Sequence, residues 1–476
     1  MTEELHRLSA CAAVRGLREG TLDPEALVRA ACARMDLLDP ELNAVPTKLF
    51  ERAIAACGRV RALRDAKAAD PQWLGGLPVV IKDIHHVAGV RTTFGSKAFS
   101  DFVPQASSWH VERLERRGAI VIGKSNTPEF AAGAQTFNEV HGITRNPWNP
   151  ALTCGGSSGG SAVAVATGMA WLADGSDLGG SLRIPAAFCG VVGLRPSIGR
   201  VPLGPQPLPF QTLNVVGPIA RNVRDVALML DVLSGADARD PLALPAPDAP
   251  FLHQVDADCD VRRIGFDPDL GGRMEVHTEI ARVLEGAMAR VAASGIAIDP
   301  VSVATEDSIA AFRVLRALHL AAELSEIAAA NPGVLKRELE ANIEQGLQLQ
   351  GAQVAAADRA RGRAFGRLMH LLSTHPIVAL PTVVLPPFDV NLRFPDRLNE
   401  QRFENYFDWA ATTFVISLTG CPALSLPCGF TAQGLPVGLQ LVAAPRDEGR
   451  LLNLAARLEA ALDVRPPLAF MSARIA

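Results

Sequence analysis

The sequence lacks the segments that would export a protein or anchor it in a membrane. Its longest apolar stretches, residues 161–173 and 414–430, are too short or are interrupted by proline, whereas a membrane helix needs ~20 apolar residues. The N-terminal residues Met1–His6 are acidic and lack the basic and apolar regions of a signal peptide. We therefore expect a cytoplasmic protein that does not bind membranes.

Recognisable metal-binding and disulfide patterns are also missing. The eight cysteines form no C-x-x-C pair, and the ten histidines form no H-E-x-x-H motif. His85 and His86 are adjacent, so they would point to opposite faces of any strand. The cysteines are typical of small buried residues in a reducing compartment, and we predict neither a metal site nor a cofactor.

The chain carries no strong excess of charge of either sign. Its 46 basic and 50 acidic residues leave a net charge of −4, which disfavours nucleic acid as a partner. With 476 residues, 48% hydrophobic and 20% charged, it has the composition of an ordinary globular protein. Lysine is scarce, so each lysine in an apolar setting is easy to inspect; the six are Lys48, Lys67, Lys82, Lys97, Lys124 and Lys336.

Alternating strand-like and helical segments predict an α/β protein with a single domain over residues 1–476. Residues 1–70 are predicted to be helical, and residues 75–235 to alternate strands with helices. Residues 240–375 are predicted to be mostly helical and to cover a pocket, and residues 376–476 to return to the sheet. Whether the protein is a monomer or a homodimer is left open.

Two glycine-rich segments are the most unusual part of the chain, Cys154–Ser161 and Gly175–Pro185. A nucleotide-binding P-loop is disfavoured because no lysine follows these glycines. Residues 156–160 match the G-x-S-x-G pattern of a nucleophile elbow at Ser158, but a turn-rich loop rather than a strand precedes them. The motif alone leaves open an elbow or a pair of plain glycine turns.

Together with other segments, these motifs resemble the amidase signature hydrolases, a family with a Ser–Ser–Lys triad. The separations of Lys82 from Ser157 (75 residues) and of Ser157 from Ser181 (24 residues) also fit the family pattern. The resemblance is dense from Gly75 to Leu233 and returns near the C-terminus. The motifs are Leu77-Pro-Val-Val-Ile-Lys-Asp83, Ile122-Gly-Lys-Ser-Asn126, Gly155-Gly-Ser-Ser-Gly-Gly-Ser161, Gly179-Gly-Ser-Leu-Arg-Ile-Pro185, Gly420-Cys-Pro-Ala-Leu-Ser-Leu-Pro427 and Gly434-Leu-Pro-Val-Gly-Leu-Gln440.

The resemblance implies that Ser181 is the nucleophile, Ser157 the bridging serine after a cis peptide bond, and Lys82 the base. A serine hydroxyl needs a base to remove its proton during attack, and the apolar neighbours of Lys82 favour a lowered pKa of its amine. The residues alone also allow a structural role for Lys82, either paired with Asp83 or reaching solvent. Lys124 also follows an apolar strand and is the rival base.

The family pattern also implies an oxyanion hole of backbone N–H groups, which would stabilise the negative charge of the transition state. The residues predicted to provide it are Leu178, Gly179, Gly180 and Ser181. Many family members have threonine where this chain has Leu178. The leucine keeps the N–H group, so we expect the hole to survive with a narrower or drier pocket floor.

Two further groups of residues flank the predicted site. Asp177 and Arg183 are expected to form a structural ion pair rather than to act in catalysis. Phe130, Ala131 and Ala132 match the family segment that lines the acyl side of the site, and we predict that they contact substrate. An apolar run is also typical of core packing, so that alternative stays open.

The resemblance implies an amidase-signature fold, with a large mixed, mainly parallel central sheet wrapped by helices on both faces. The implied activity is metal-independent hydrolysis of a small carboxamide, or of a related ester or carbamate, through an acyl-enzyme. One alternative is the glutaminase subunit of a tRNA-dependent amidotransferase. Such subunits carry a tyrosine-rich segment, which is missing here because the only tyrosine is Tyr406. The other alternative is an inactive binding protein of the same fold.

Overall fold

A computed structural model describes residues 5–464 and 468. Residues 1–4 of the acidic N-terminal segment and most of the chain after residue 464 lie outside the described residues. The chain folds around one eleven-stranded sheet covered by helices. Its strands, β1–β11, are Thr47–Lys48, Pro78–Lys82, Ile120–Ser125, Leu172–Asp177, Val192–Arg195, Val215–Ala220, Arg263–Phe266, Ala297–Pro300, Ile377–Pro381, Ala423–Phe430 and Pro436–Ala443.

The helices that cover the sheet come from the whole length of the described chain. Numbered α1–α14, they are Ala10–Glu19, Pro24–Leu42, Phe50–Lys67, Trp109–Arg116, Gly159–Ala166, Arg183–Cys189, Val223–Leu233, Phe251–Val255, Thr278–Ala293, Ser308–Ala330, Arg337–Leu347, Gly351–Leu372, Ala411–Thr419 and Glu448–Leu462. No helix within residues 5–464 is both long enough and apolar enough to cross a bilayer.

The sheet has the spatial order β1-β3-β2-β4-β6-β5-β10-β11-β9-β7-β8. The sequence correctly predicts a mixed sheet, but the expectation that it is mainly parallel is wrong. Among the ten pairings within this sheet, four are parallel and six are antiparallel. Antiparallel neighbours need no helical crossover, and short connections such as residues 431–435 between β10 and β11 are enough to join them.

The sequence predicts a strand at residues 263–266 and a helix near residues 448–462, and both elements form there. Strands β1, β4, β6 and β8 were not predicted, and β1 lies within residues 1–70, which were expected to be helical. Strand β4 contains glycine, serine and two aspartates, residue types that are depleted in strands, and its neighbours in the sheet override that preference.

The topology brings three strand ends together. Strands β2, β3 and β4 run parallel across β2, so their carboxyl ends meet at one edge of the sheet. The two glycine-rich segments lie at the same edge, because one continues from the end of β4 and Ser157 of the other contacts Lys82 at the end of β2. Ligands of open α/β sheets bind outside the carboxyl ends of the strands, so this edge is the place to examine for a site.

Candidate active site

Lys82 is the last residue of β2 and is completely buried. Its Nζ donates hydrogen bonds to the hydroxyl oxygens of Ser157 at 2.6 Å, Ser176 at 2.9 Å and Ser158 at 3.0 Å. Burial lowers the pKa of Lys82 to about 7, although two carboxylates of β4 oppose the shift. A neutral amine, which is the form that can accept a proton, is therefore available close to neutral pH.

Ser181 shares one cavity with Ser157. The peptide bond between Gly156 and Ser157 is cis, as the family resemblance implies, and the backbone N–H of Ser158 donates to the carbonyl of Ser181 at 3.1 Å. Within the described residues, no hydrogen bond joins the hydroxyls of Ser157 and Ser181. Catalytic hydrogen bonds are often long before substrate binds, and the half-buried Ser181 faces the space where a substrate would lie.

The backbone around Ser181 offers hydrogen-bond donors to the cavity, but one of the four predicted donors is in use. The N–H of Gly180 donates to Asp177 Oδ1 at 2.8 Å, so it is not available to an oxyanion. The N–H groups of Leu178, Gly179 and Ser181 have no acceptor among the described residues. Gly180 has φ of +124°, and a Cβ there would lie 2.2 Å from Thr413 Oγ1, so the turn requires glycine.

Asp177 is the anchor of this turn. Its carboxylate accepts two hydrogen bonds from Arg183, at 2.9 and 3.0 Å, and lies 3.2 Å from Arg195 Nη1; all three side chains are fully buried. Burial by itself would raise the pKa of Asp177, but the charges of Arg183 and Arg195 hold it well below its usual range. The ion pair therefore fixes the shape of the loop that carries Ser181.

The rival base Lys124 has different partners. Its Nζ donates to Thr92 Oγ1 at 2.7 Å and lies 3.1 Å from Asp83 Oδ1. Asp83 follows Lys82 in the sequence, yet it pairs with Lys124, so the alternative in which Lys82 is paired with Asp83 is wrong. Adjacent residues at a strand end point in different directions, and only Lys82 points toward the serines.

The cavity beside the serines has a volume of about 380 Å³ and is mostly aromatic and aliphatic. One wall is a cluster of four phenylalanines, Phe94, Phe99, Phe102 and Phe130, whose ring centroids are 5.1–6.2 Å apart where they touch. Phe312, Phe407 and Phe414 also line the cavity, and Phe312 stacks on Phe414 at 4.4 Å.

The three residues predicted to contact substrate, Phe130, Ala131 and Ala132, all line this cavity. They lie on a single 3₁₀ turn and its end, not on a packed α-helix, and Phe130 and Ala131 have φ of 48° and 54°. Left-handed backbone at two consecutive non-glycine residues is uncommon and is typical of functional loops. Sequence patterns do not reveal this turn, because its apolar residues resemble helix packing.

Sequence reasoning missed several side chains at the site. Ser176 contacts Lys82, and Asp174, two residues earlier on β4, contacts His85 and His110. The alternation of a strand would have put Asp174 and Ser176 on one face, had β4 been recognised. His85, His110 and Asp174 also form a group of potential metal ligands, which motif searches do not find because His85 and His110 are 89 and 64 residues from Asp174.

Fold and site together define an α/β protein with a buried lysine, serine hydroxyls and exposed backbone donors around one apolar cavity. The Amidase family model matches residues 26–452. The chain is 33% identical to an acylamidase of Rhodococcus erythropolis over 471 residues, covering 98% of this chain and 97% of that protein. It is also 33% identical to a glutamyl-tRNA(Gln) amidotransferase subunit of Synechococcus sp. (strain CC9605) over 481 residues, covering 94% and 95%.

Among solved structures, a bacterial aryl acylamidase of the amidase signature family superposes with a TM-score of 0.89 and 26% identity, over 96% of this chain and 98% of that one. The protein therefore belongs to the amidase signature family. Its general activity is that of an amide hydrolase.

Proposed function

We propose that the protein hydrolyses a small carboxamide through an acyl-enzyme on Ser181, with Ser157 and Lys82 carrying the proton. The observation that carries this proposal is the environment of Lys82, whose Nζ contacts three serine hydroxyls and, among the described residues, no carboxylate. A lysine in such surroundings loses its proton close to neutral pH and can act as a general base.

The reaction has two halves. Ser181 Oγ attacks the amide carbonyl while its proton passes through Ser157 to the neutral amine of Lys82. The N–H groups of Leu178, Gly179 and Ser181 hold the oxyanion that forms. The C–N bond then breaks as the proton returns to the leaving nitrogen, and water cleaves the acyl-serine ester by the same proton path to release the carboxylic acid.

The cavity favours an apolar substrate with an aromatic ring. The phenylalanine cluster and Phe312 line the same cavity as Ser181, and aromatic rings prefer stacked or edge-on aromatic partners. We propose an aryl or bulky alkyl group in the acyl or amine half. Ester and carbamate hydrolysis belong to the same proposal, because both proceed through the same acyl or carbamoyl serine.

Labelling with a serine-directed phosphonylating reagent tests the nucleophile. One adduct is expected on the peptide that contains Gly179–Arg183, and a stable adduct on Ser158 would contradict the proposal. Ser181→Ala is expected to lower kcat by at least ~10⁴-fold, the scale seen when a nucleophile that works as part of a unit is removed. Ser161→Ala is the matched control, because that buried hydroxyl contacts Ser125 rather than Lys82.

The second candidate is the glutaminase component of an amidotransferase, favoured by the 33% identity to the Synechococcus protein. Free glutamine is small and polar, whereas seven phenylalanines line the cavity here. Purified protein that releases ammonia from glutamine, and is inactive on aryl amides without a partner chain and tRNA, would establish this second candidate instead.

Three further sequence expectations stay predictions. The cytoplasmic location is consistent with eight free cysteines. The prediction that residues 240–375 are mostly helical and cover a pocket is consistent with helix α10, which supplies Phe312, Arg316 and Leu320 to the cavity. Limited proteolysis that cleaves only at chain ends, without releasing a stable fragment, would support a single domain.

A further inference from the structure

Helix α10 lines one side of the cavity with a single face. Its lining residues are spaced three or four apart, as residues on one face of a helix are, and include Phe312, Arg316, Leu320, Glu323 and Ile327. Phe312 lies beside the loop that carries Ser181, because a Cβ added to Gly179 would lie 2.9 Å from Phe312 Cζ. A helix rises about 1.5 Å per residue, so Arg316 lies ~6 Å further along the axis than Phe312.

Arg316 is the buried cation on this face of α10, and only 6% of the residue is exposed. Its Nη1 donates to the side-chain oxygen of Asn342 and its Nη2 to the hydroxyl of Tyr406, while Cζ lies 4.4 Å from the centroid of the Phe407 ring. A guanidinium has five N–H donors. Within the described residues the other N–H groups of Arg316 have no acceptor, so they can serve a ligand in the cavity that this side chain lines.

The charge of Arg316 is left without a counter-ion, in contrast to that of Arg313 on the same helix. Arg313 contacts the carboxylate of Asp408 at 2.6 Å and that of Glu404 as well. Arg316 forms no ion pair with any residue that the structure describes. Its partners are an amide, a hydroxyl and aromatic rings, so no carboxylate balances its positive charge.

The acidic side chains nearest to this arrangement have other partners. Glu338, one turn before Asn342 on α11, lies 2.6 Å from Arg393. Glu323, two turns beyond Arg316 on α10, lies 3.1 Å from His319 Nε2. A buried charge is stabilised when a group of opposite charge reaches it, and here that group is missing from the protein itself. The cavity therefore offers a prepared place for an anion.

We propose that Arg316 determines specificity by binding a carboxylate of the substrate. This inference rests on the proposed function and narrows its substrate class to amides that carry a carboxylate beside their aryl or alkyl part, on the acyl or on the amine half. The planar guanidinium matches a carboxylate through two parallel hydrogen bonds. The phenylalanines of the cavity keep this contact away from water, which strengthens it.

A purely structural role is the alternative, since the same side chain joins α10 to α11 and to Tyr406. The two roles differ in what they do to substrate preference. Loss of a structural link lowers the amount of folded enzyme, and two substrates measured on the same sample are then affected equally. Loss of a charge that binds the substrate changes the ratio between a charged and an uncharged substrate.

The test compares kcat/KM within two pairs of aryl amides. In each pair a carboxylate in one substrate is replaced in the other by a nitro group, which has the same shape without the net charge, and saturated carbons separate this group from the amide. One pair carries it on the acyl half and the other on the amine half. The wild type should prefer the carboxylate in one pair by ~10–100-fold, the scale of a hydrogen bond to a charged group, and mainly through KM because the group is remote from the reacting atoms.

Three substitutions change the charge at this position. Arg316→Met removes it and should abolish the preference, whereas Arg316→Lys keeps the charge without the planar fork and should retain part of the preference. Asn342→Asp puts a carboxylate of the same size against the guanidinium, so the arginine stays but its charge is balanced and the preference should be lost. Arg359→Met is the matched control, because that arginine is exposed on α12 and is not among the residues that line the cavity.

The outcomes are distinct. A carboxylate preference that is lost in Arg316→Met and Asn342→Asp and kept in Arg359→Met supports the proposal. A wild type that hydrolyses both nitro substrates without preferring either carboxylate would overturn it, as would a preference that survives in Asn342→Asp, which also decides the matter if Arg316→Met does not fold. Failure of serine labelling at Ser181, or turnover of glutamine with none on either pair, would instead overturn the proposed function.

Discussion

Lys82 and Lys124 occupy similar positions yet have different chemistry. Both lie at the carboxyl ends of neighbouring parallel strands, Lys124 is in register with the residue before Lys82, and both side chains are fully buried. Burial lowers the pKa of both amines. Lys124 contacts a carboxylate and a threonine hydroxyl, whereas Lys82 contacts three serine hydroxyls.

The comparison shows that two equally buried lysines can differ in the partners of their amines. A carboxylate in direct contact favours the charged form of Lys124 and makes it part of a structural pair, because separating buried opposite charges is costly. Hydroxyl groups accept hydrogen bonds from the ammonium and also exchange protons with the amine. Lys82 can therefore change its protonation state during a reaction, and Lys124 cannot do so without losing its partner.

The largest expected effect is the loss of amide turnover in Lys82→Ala. Without the base and the proton that it returns to the leaving nitrogen, kcat on an amide should fall by ~10²–10⁴-fold. Turnover of an activated aryl ester with the same acyl group should also fall, but the loss should be smaller than that on the amide by a factor of at least tens, because a phenolate leaves without a proton. Steady-state rates on the matched substrate pair measure the gap. Equal losses on both substrates, in a folded variant, would limit Lys82 to attack or to structure.

Lys124→Ala should instead reduce stability. It leaves Asp83 buried without its cation, which typically costs roughly 3–5 kcal/mol, while kcat per folded molecule is retained. Denaturant unfolding and active-site titration with the serine reagent measure the two quantities. Replacing both partners, in Asp83→Asn/Lys124→Met, should restore much of the stability. A Lys124→Ala variant of wild-type stability that has lost amide turnover would make Lys124 the base.

The pH dependence of activity and of stability tests the lowered pKa of Lys82. Activity on amides should rise with pH through a pKa close to 7, as Lys82 loses its proton. Between pH 7 and the ordinary lysine pKa of 10.5, the unfolded chain holds a proton on Lys82 that the folded protein does not. Rising pH over this window therefore favours the folded wild type relative to Lys82→Met. Denaturant unfolding of both proteins at pH 7 and pH 9.5 measures this, and a difference that moves the other way would contradict the lowered pKa.

The smallest expected effect is that of a chelator, for which we expect none. The proposed proton path runs through Lys82 and two serines, so purified protein should keep full activity after dialysis against a chelator and without ATP or tRNA. A loss restored by a divalent cation would mean that His85, His110 and Asp174 bind a metal.

The sequence alone was enough to identify the family and to predict a triad of Lys82, Ser157 and Ser181, because both depend on short motifs at fixed separations. The strand that ends in Lys82, the glycine-rich turn before α5 and the turn before α6 each follow from local sequence. These features depend on residues close together in the chain, where glycine, proline and apolar runs restrict the backbone directly.

Only the tertiary structure decided what each charged side chain contacts. Asp83 pairs with Lys124 rather than with its neighbour Lys82, and Asp174 lies against His85 and His110 from distant segments. The cavity wall likewise joins Phe130 to Phe312 from helix α10. Such contacts depend on which strands lie side by side. The glycine and serine of β4 do not predict a strand, so the partners of Lys82 on β4 could not be predicted from the residues next to Lys82 in the sequence.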